Sequence, residues 1–170
     1  MLINTPRLVI TEFDTGMSNA VHLNSLDEDT RRFLPDEVFE TEAEAAETIE
    51  FLISRYSSAD GPFVYPVLLK SGENVGYVQA VLTERAGEWE IGYHIGKRYT
   101  KNGYATEAVR AFLPIIMDKL CIKHVVGVCL AENVASIKVL ERVGFEKAYL
   151  GDGEYQGRSA KIYRAIYRSE

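Results

Sequence analysis

Apolar and polar positions alternate through EWEIGYHI. Trp89, Ile91, Tyr93 and Ile95 fall on one face, and Glu88, Glu90, Gly92 and His94 on the other. That is the two-residue period of a strand with one apolar and one polar side. The period then changes: Ala105, Ala108, Val109, Phe112, Leu113, Ile116 and Leu120 recur at helical spacing. A kink or break is expected at Pro114, because an interior proline removes a hydrogen bond and clashes with the preceding turn. Val125 to Leu130 is a short continuous apolar strand. ENVASIKVLERVGF is a helix with legible ends: Asn133 suits the N-cap, Gly144 the left-handed position past the last turn, and Phe145 folds back on Leu140.

Upstream, Leu8 and Ile10 suggest a strand in RLVITEF, and Gly16 begins a polar break before a weak helix to about residue 26. In ETEAEAAETIEFLISRY, Thr41 and Glu44 form a capping box, and Ala45, Ile49, Leu52 and Ile53 make one apolar stripe. Phe63 to Leu69 and Val75 to Thr83 read as strands returning about the turn SGEN. The chain ends in two strand-like runs around a Gly-rich turn, LGDGEYQGRS. There is no internal repeat and no linker. The order predicts one domain over residues 1–170, an α/β fold with a mixed sheet.

Composition narrows the function classes. Hydrophobic residues at 46% and charged residues at 26% are ordinary soluble globular usage. The apolar runs are too short for a membrane span, and MLINTPRLVITEF lacks the pattern of a secretory signal, so a cytoplasmic protein is expected. Cys121 and Cys129, eight residues apart, are read as reduced core residues, and His22, His94 and His124 lack metal-site spacing. A pI near 5.2 argues against nucleic acid as a principal partner.

Against a net charge of -6, RYTKNGYATEAVRAF carries its own sign: from Gly96 to Arg110 stand Lys97, Arg98, Lys101 and Arg110 against Glu107 alone. Gly103 lies where the strand ends and the helix begins, and a helix start exposes backbone N–H groups at the positive end of the dipole. This is an anion site in waiting, although neither the P-loop nor the Rossmann pattern is present. A turn glycine beside a solvated charged face remains the plainer alternative.

GYATEAV after IGYHI, followed by ENVASIKVLERVGF, resembles the acyl-CoA-binding core of the GNAT-superfamily N-acetyltransferases. TPRLVI is similar to the start of their RimJ/RimL-like branch, so the likeness spans essentially the whole chain. The resemblance implies a GNAT-like fold: a mostly antiparallel mixed sheet with helices on both faces. It implies acetyl-CoA as co-substrate, no metal, and an amine-bearing acceptor, on a monomer or homodimer. The loop from Thr100 through Lys101, Asn102, Gly103 and Tyr104 to Ala105 would hold the pyrophosphate with backbone amides, reinforced by Arg98 and Lys101. The strand ending at Ile95, with Asn133 and Ser136, would meet the pantetheine arm. Gly103 and Ala105 match the family pattern, whereas Thr100 stands where Gln or Arg is usual and Lys101 where many members have a second glycine.

Acetyl transfer to an amine needs a neutral amine, and a positioned carboxylate can act as its base. Glu90 is the candidate, at the place of the family's strand carboxylate; a charge ladder at a strand edge is its alternative. His94 lies roughly 13 Å further along the strand, too far to pair with Glu90, and is expected to be structural. The tyrosine that protonates the leaving thiolate in many members is replaced by Leu140, and Ser136 takes the role by resemblance. Asp36, Glu37, Glu40, Glu42, Glu44 and Glu47 form an acidic run that steers cationic amines or, more commonly, a solvated face. The expected activity is acetyl transfer to a primary amine, such as a protein or peptide N-terminus, by direct transfer in a ternary complex. A small-molecule amine acetyltransferase and a non-catalytic acyl-CoA-binding module are the alternatives.

Overall fold

A computed structural model describes residues 1–169. In chain order the elements are β1 (Ile3–Asn4), β2 (Leu8–Ile10), α1 (Ser18–Asn24), α2 (Glu28–Phe33), α3 (Glu42–Arg55), β3 (Phe63–Leu69), β4 (Asn74–Leu82), β5 (Trp89–Ile95), α4 (Tyr104–Leu120), β6 (His124–Leu130), α5 (Val134–Val143), β7 (Glu146–Tyr155) and β8 (Arg158–Arg168). One eight-stranded sheet runs β1-β2-β3-β4-β5-β6-β8-β7. Neighbours are antiparallel except β5 and β6, which run parallel.

Two apolar clusters cover opposite faces of the sheet. On one, Phe63, Tyr65 and Val67 of β3 pack with Val109, Phe112, Leu113 and Ile116 of α4. On the other, Val64 packs with Ile49 and Leu52 of α3, with Val21 and Tyr77 beside them. Successive β3 residues point to opposite sides, so its nearly unbroken apolar sequence belongs to a strand buried on both faces.

Helix α4 runs through Pro114 without a break. The proline is exposed, so the carbonyl it leaves unbonded can be hydrated. Its cost of about 3 kcal/mol is set against about 1.5–3 kcal/mol for each large apolar side chain buried, and Val109, Phe112, Leu113, Ile116 and Met117 are all buried.

The ends of α5 match expectation. Asn133 accepts from the Ser136 N–H at 3.2 Å. Gly144 has φ 108°, and the Phe145 N–H reaches the Leu140 carbonyl at 3.0 Å. Thr41 caps α3, but the Glu44 carboxylate reaches back to the Glu40 N–H, one residue before the cap.

Three further readings change. LGDGEY is strand rather than turn: β7 extends to Tyr155, and Gln156 and Gly157, both with positive φ, make the two-residue connection. Cys121 is exposed at the C-terminal end of α4, and only Cys129 is in the core. Between the weak first helix and α3 lie a second helix, α2, and a 3-10 turn at Pro35–Glu37. They are too short for a periodic signal and are fixed by long-range bonds, such as Tyr155 Oη to the Phe33 carbonyl at 2.9 Å.

Candidate active site

Strands β5 and β6 pair only at Glu90 and Val126, while β5 stays paired with β4 as far as Ile95. Beyond Glu90 the two parallel strands diverge, leaving one edge of Gly92–Ile95 without a strand partner. The opening is continuous with a cleft of about 820 Å³, lined by β5, β6, the start of α4, α5, and the segment from Asp27 to Glu37.

At one end the loop before α4 turns through two left-handed residues, Lys101 (φ 63°) and Gly103 (φ 78°). Gly103 is the N-cap of α4, and no side chain caps that end. The first amides are therefore free for an anion. The basic field predicted here is largely consumed. Lys97 pairs with Asp29, Arg98 with Glu73 at 3.0 Å, and Arg110 donates to the Arg142 carbonyl. Among the described residues Lys101 alone of the four has no acidic or carbonyl partner. Arg98 and Asn102 do not line the cleft; the Asn102 side chain closes the loop by donating to the Tyr99 and Thr100 carbonyls. Thr100, Lys101, Gly103, Tyr104, Ala105 and Ile95 do line it.

The N-terminal segment holds this loop in place. Glu107 Oε1 accepts from Thr5 Oγ1 at 2.6 Å and from the Arg7 N–H at 3.1 Å. Arg7 also donates to the Asn102 carbonyl at 2.8 Å and lies over the Tyr104 ring. Burial opposes the Glu107 charge, but the bonds from Thr5 and Arg7 outweigh it and hold the carboxyl below its ordinary range.

At the apex of the cleft, Tyr93 Oη lies 2.9 Å from the Ser136 carbonyl and 2.8 Å from Ser136 Oγ. The phenol has one proton. When it goes to the carbonyl, the serine hydroxyl is the donor in the second bond. Burial keeps the Tyr93 phenol neutral. Cys129 is beside them, its thiol pushed up to about 11 by burial, partly offset by the Ser136 hydroxyl. Leu140 is buried in the core. It packs so close over Gly127 that a Cβ there would meet Leu140 Cδ2 at 2.5 Å.

The other end is acidic. Glu90 is half-buried, and burial together with the charges of Glu37 and Glu88 raises its carboxyl to about 7, against the pull of Arg164. Glu88 is itself paired with Arg164 and accepts from Thr83 at 3.1 Å. Glu37 leaves the solvated acidic run: Pro35–Glu37 turns it inward, where burial raises it to about 7 as well. His94 lines the cleft and is held by a hydrogen bond to Thr30. Thr30 Oγ1 must donate to Asp27 at 2.9 Å, so it accepts from His94 Nε2 at 2.8 Å. Burial lowers the imidazole to about 4 despite Asp27, leaving it neutral.

A mixed sheet thus opens beside its parallel β5–β6 pair, and the uncapped start of α4 lies at the opening. The profile of the Acetyltransferase (GNAT) domain matches residues 7–146, and the chain belongs to this family of N-acetyltransferases. The N-acetyltransferase YnaD of Bacillus subtilis, itself uncharacterized, is 28% identical over 150 residues, 86% of this chain and 84% of that protein. A GNAT-family acetyltransferase from Bacillus anthracis superposes with a TM-score of 0.84 at 23% identity, over 99% of this chain and 98% of that one. RimL, the ribosomal L7/L12 α-N-protein acetyltransferase, solved in complex with coenzyme A, also gives 0.84, at 18% identity over 99% and 98%. At these identities the two structures establish the fold.

Sequence reasoning missed Thr5, Arg7, Tyr93 and Glu37 as site residues. Tyr93 belongs to the apolar face of β5, and its hydroxyl reaches Ser136 of α5. Among the described residues, no group of three or more His, Cys, Asp and Glu is placed to hold a metal, and no helix is long and apolar enough to cross a membrane.

Proposed function

We propose that the protein transfers the acetyl group of acetyl-CoA to a primary amine by direct attack in a ternary complex, with Glu90 as base and Ser136 as donor to the leaving sulfur. The observation that carries this is the place of Glu90: it forms the single β5–β6 pair, at the point where the strands part. The free amides before α4 and the unpaired Lys101 fit a pyrophosphate, and the open edge of Gly92–Ile95 fits an amide-bearing arm. An acetyl thioester held this way would place its carbonyl near Glu90 and Ser136.

Glu90, raised to about 7, is half-ionised near neutrality and is matched to removing a proton from an alkylammonium. The amine nitrogen then bonds to the carbonyl carbon and the C–S bond breaks. The nitrogen, now bonded to carbon, gives up its second proton, which reaches the sulfur through the Ser136 hydroxyl once that hydroxyl turns from Tyr93 Oη toward the sulfur; the proton held by Glu90 passes to solvent, so one proton in all is released. The neutral Tyr93 serves as a hydrogen-bond partner rather than as the acid.

A protein or peptide N-terminus is the acceptor that the RimL likeness favours, since RimL acetylates an α-amine. The half-buried acidic end supports the second reading, a small cationic amine. Thiol release from acetyl-CoA, measured against a panel of N-terminal peptides and small amines, separates the two. Micromolar acetyl-CoA binding with no thiol release on any acceptor would leave a non-catalytic binding module instead.

A further inference from the structure

Among the described residues Glu37 has no cationic partner. Its Oε1 accepts from Gln79 Nε2 at 3.4 Å, a long bond, and its Oε2 is buried with no partner. It lines the cleft together with Glu90, Gln79 and Tyr155. The other acidic residues at this end are accounted for: Glu88 is paired with Arg164, and Glu84 and Glu154 are exposed. Among the described residues, Glu37 and Glu90 are the two half-buried carboxylates there with no ion pair. A buried charge of this kind is costly unless it is neutralised or compensated.

The surroundings are arranged to keep Glu37 in place. Gly92, opposite Gln79 in the β4–β5 register, has no side chain, and a Cβ there would lie 2.6 Å from Gln79 Nε2. The absence of a side chain on the polar face of β5 gives Gln79 the space from which it reaches Glu37. The peptide approaching Glu37 is also anchored: the Asp36 N–H donates to Gln156 Oε1 at 3.2 Å, and Asp36 pairs with Arg158 at 3.6 Å.

Charge balance says what would satisfy this pair. A monocationic amine in the cleft faces two carboxylates. Once its proton passes to Glu90 the amine is neutral, and Glu37 is left uncompensated in a site the acceptor has just made drier. An acceptor with a second ammonium keeps Glu37 paired before and after that transfer. We propose that Glu37 is the specificity-determining residue for an acceptor carrying two positive charges, the reacting ammonium at Glu90 and a second one at Glu37: a small molecule of the α,ω-diamine class. This rests on the reading of Glu90 as the base at the reacting nitrogen.

The test is equilibrium binding to the full chain in excess coenzyme A, by calorimetry, using a short series of α,ω-diamines and the matching n-alkylamines. The best diamine is expected to bind about ten-fold or more tightly than its monoamine. Glu37→Gln should bring that ratio to about one, and Glu37→Asp should keep most of it; unchanged coenzyme A affinity reports that both variants fold. Equal binding of diamine and monoamine, no binding of either, or a preference that survives Glu37→Gln overturns the proposal. Thiol release from acetyl-CoA is then measured with the same amines. Selective diamine binding without any release would remove the role of Glu90 and leave that of Glu37.

Discussion

Arg7 and Glu107, a hundred residues apart, join the first turn of the chain to the first turn of α4: Arg7 Nε donates to Glu107 Oε2 at 2.7 Å. The carboxylate takes bonds from Thr5 and from the Arg7 backbone as well, so it ties down the loop that faces the cleft. Glu107→Gln keeps the shape and weakens these charge-assisted bonds. The pair is partly exposed, so the expected cost is about 1 kcal/mol, a fall of about 2–4 °C in Tm, with acetyl-CoA binding weakened several-fold. A calorimetric scan and an acetyl-CoA titration check both.

Lys101 and Arg98 separate by their partners. Lys101→Ala should weaken acetyl-CoA binding several-fold, and more at low salt than at high salt, because its charge is free for the anion. Arg98→Ala should change binding much less, since Arg98 is already paired with Glu73. Comparable losses in the two variants would contradict this division.

Ser136→Ala removes the hydroxyl between Tyr93 and Cys129. We expect kcat to fall by about 10²-fold, within the usual range for a lost proton donor, with acetyl-CoA affinity nearly unchanged. Tyr93→Phe leaves the serine in place and removes its orienting partner, so its loss should be smaller. Steady-state kinetics against both substrates distinguishes these from a folding defect, which would lower the active fraction without a pattern of this kind.

The pH dependence follows from carboxyls raised to about 7 at Glu90 and Glu37. A base must be ionised to act, so kcat/KM should rise with pH through an apparent pKa near 7, and Glu90→Gln should lower kcat by about 10²-fold or more. Stability has the opposite slope. A carboxyl raised on folding binds more protons in the folded than in the unfolded chain between its ordinary value and about 7, so stability falls as pH climbs through that window. Glu37→Gln should therefore raise Tm by about 2–4 °C at pH 8 and by less at pH 5, about 1 kcal/mol at the higher pH. A Tm gain that was larger at pH 5 would refute the assignment.

Periodicity alone determined most of the frame. Alternation in EWEIGYHI set the faces of β5, and the recurrence from Ala105 to Leu120 set the buried face of α4. The residues Asn133, Gly144 and Phe145 marked the ends of α5, because caps are local chemistry between neighbours in the chain. Gly103 could be placed at the helix start for the same reason. What the tertiary structure decided was which of these residues are free to act. The charges of the loop looked alike in sequence until Asp29 and Glu73 took Lys97 and Arg98, leaving Lys101. Glu37 looked like one member of a solvated acidic run until a short turn and the Gln79 amide, given room by Gly92, drew it into the cleft. Tyr93 became a polar participant only when α5 brought Ser136 to its hydroxyl. Each of these outcomes is set by a partner some 25 to 70 residues away in sequence, and desolvation and ion pairing depend on that distance in space rather than on spacing along the chain.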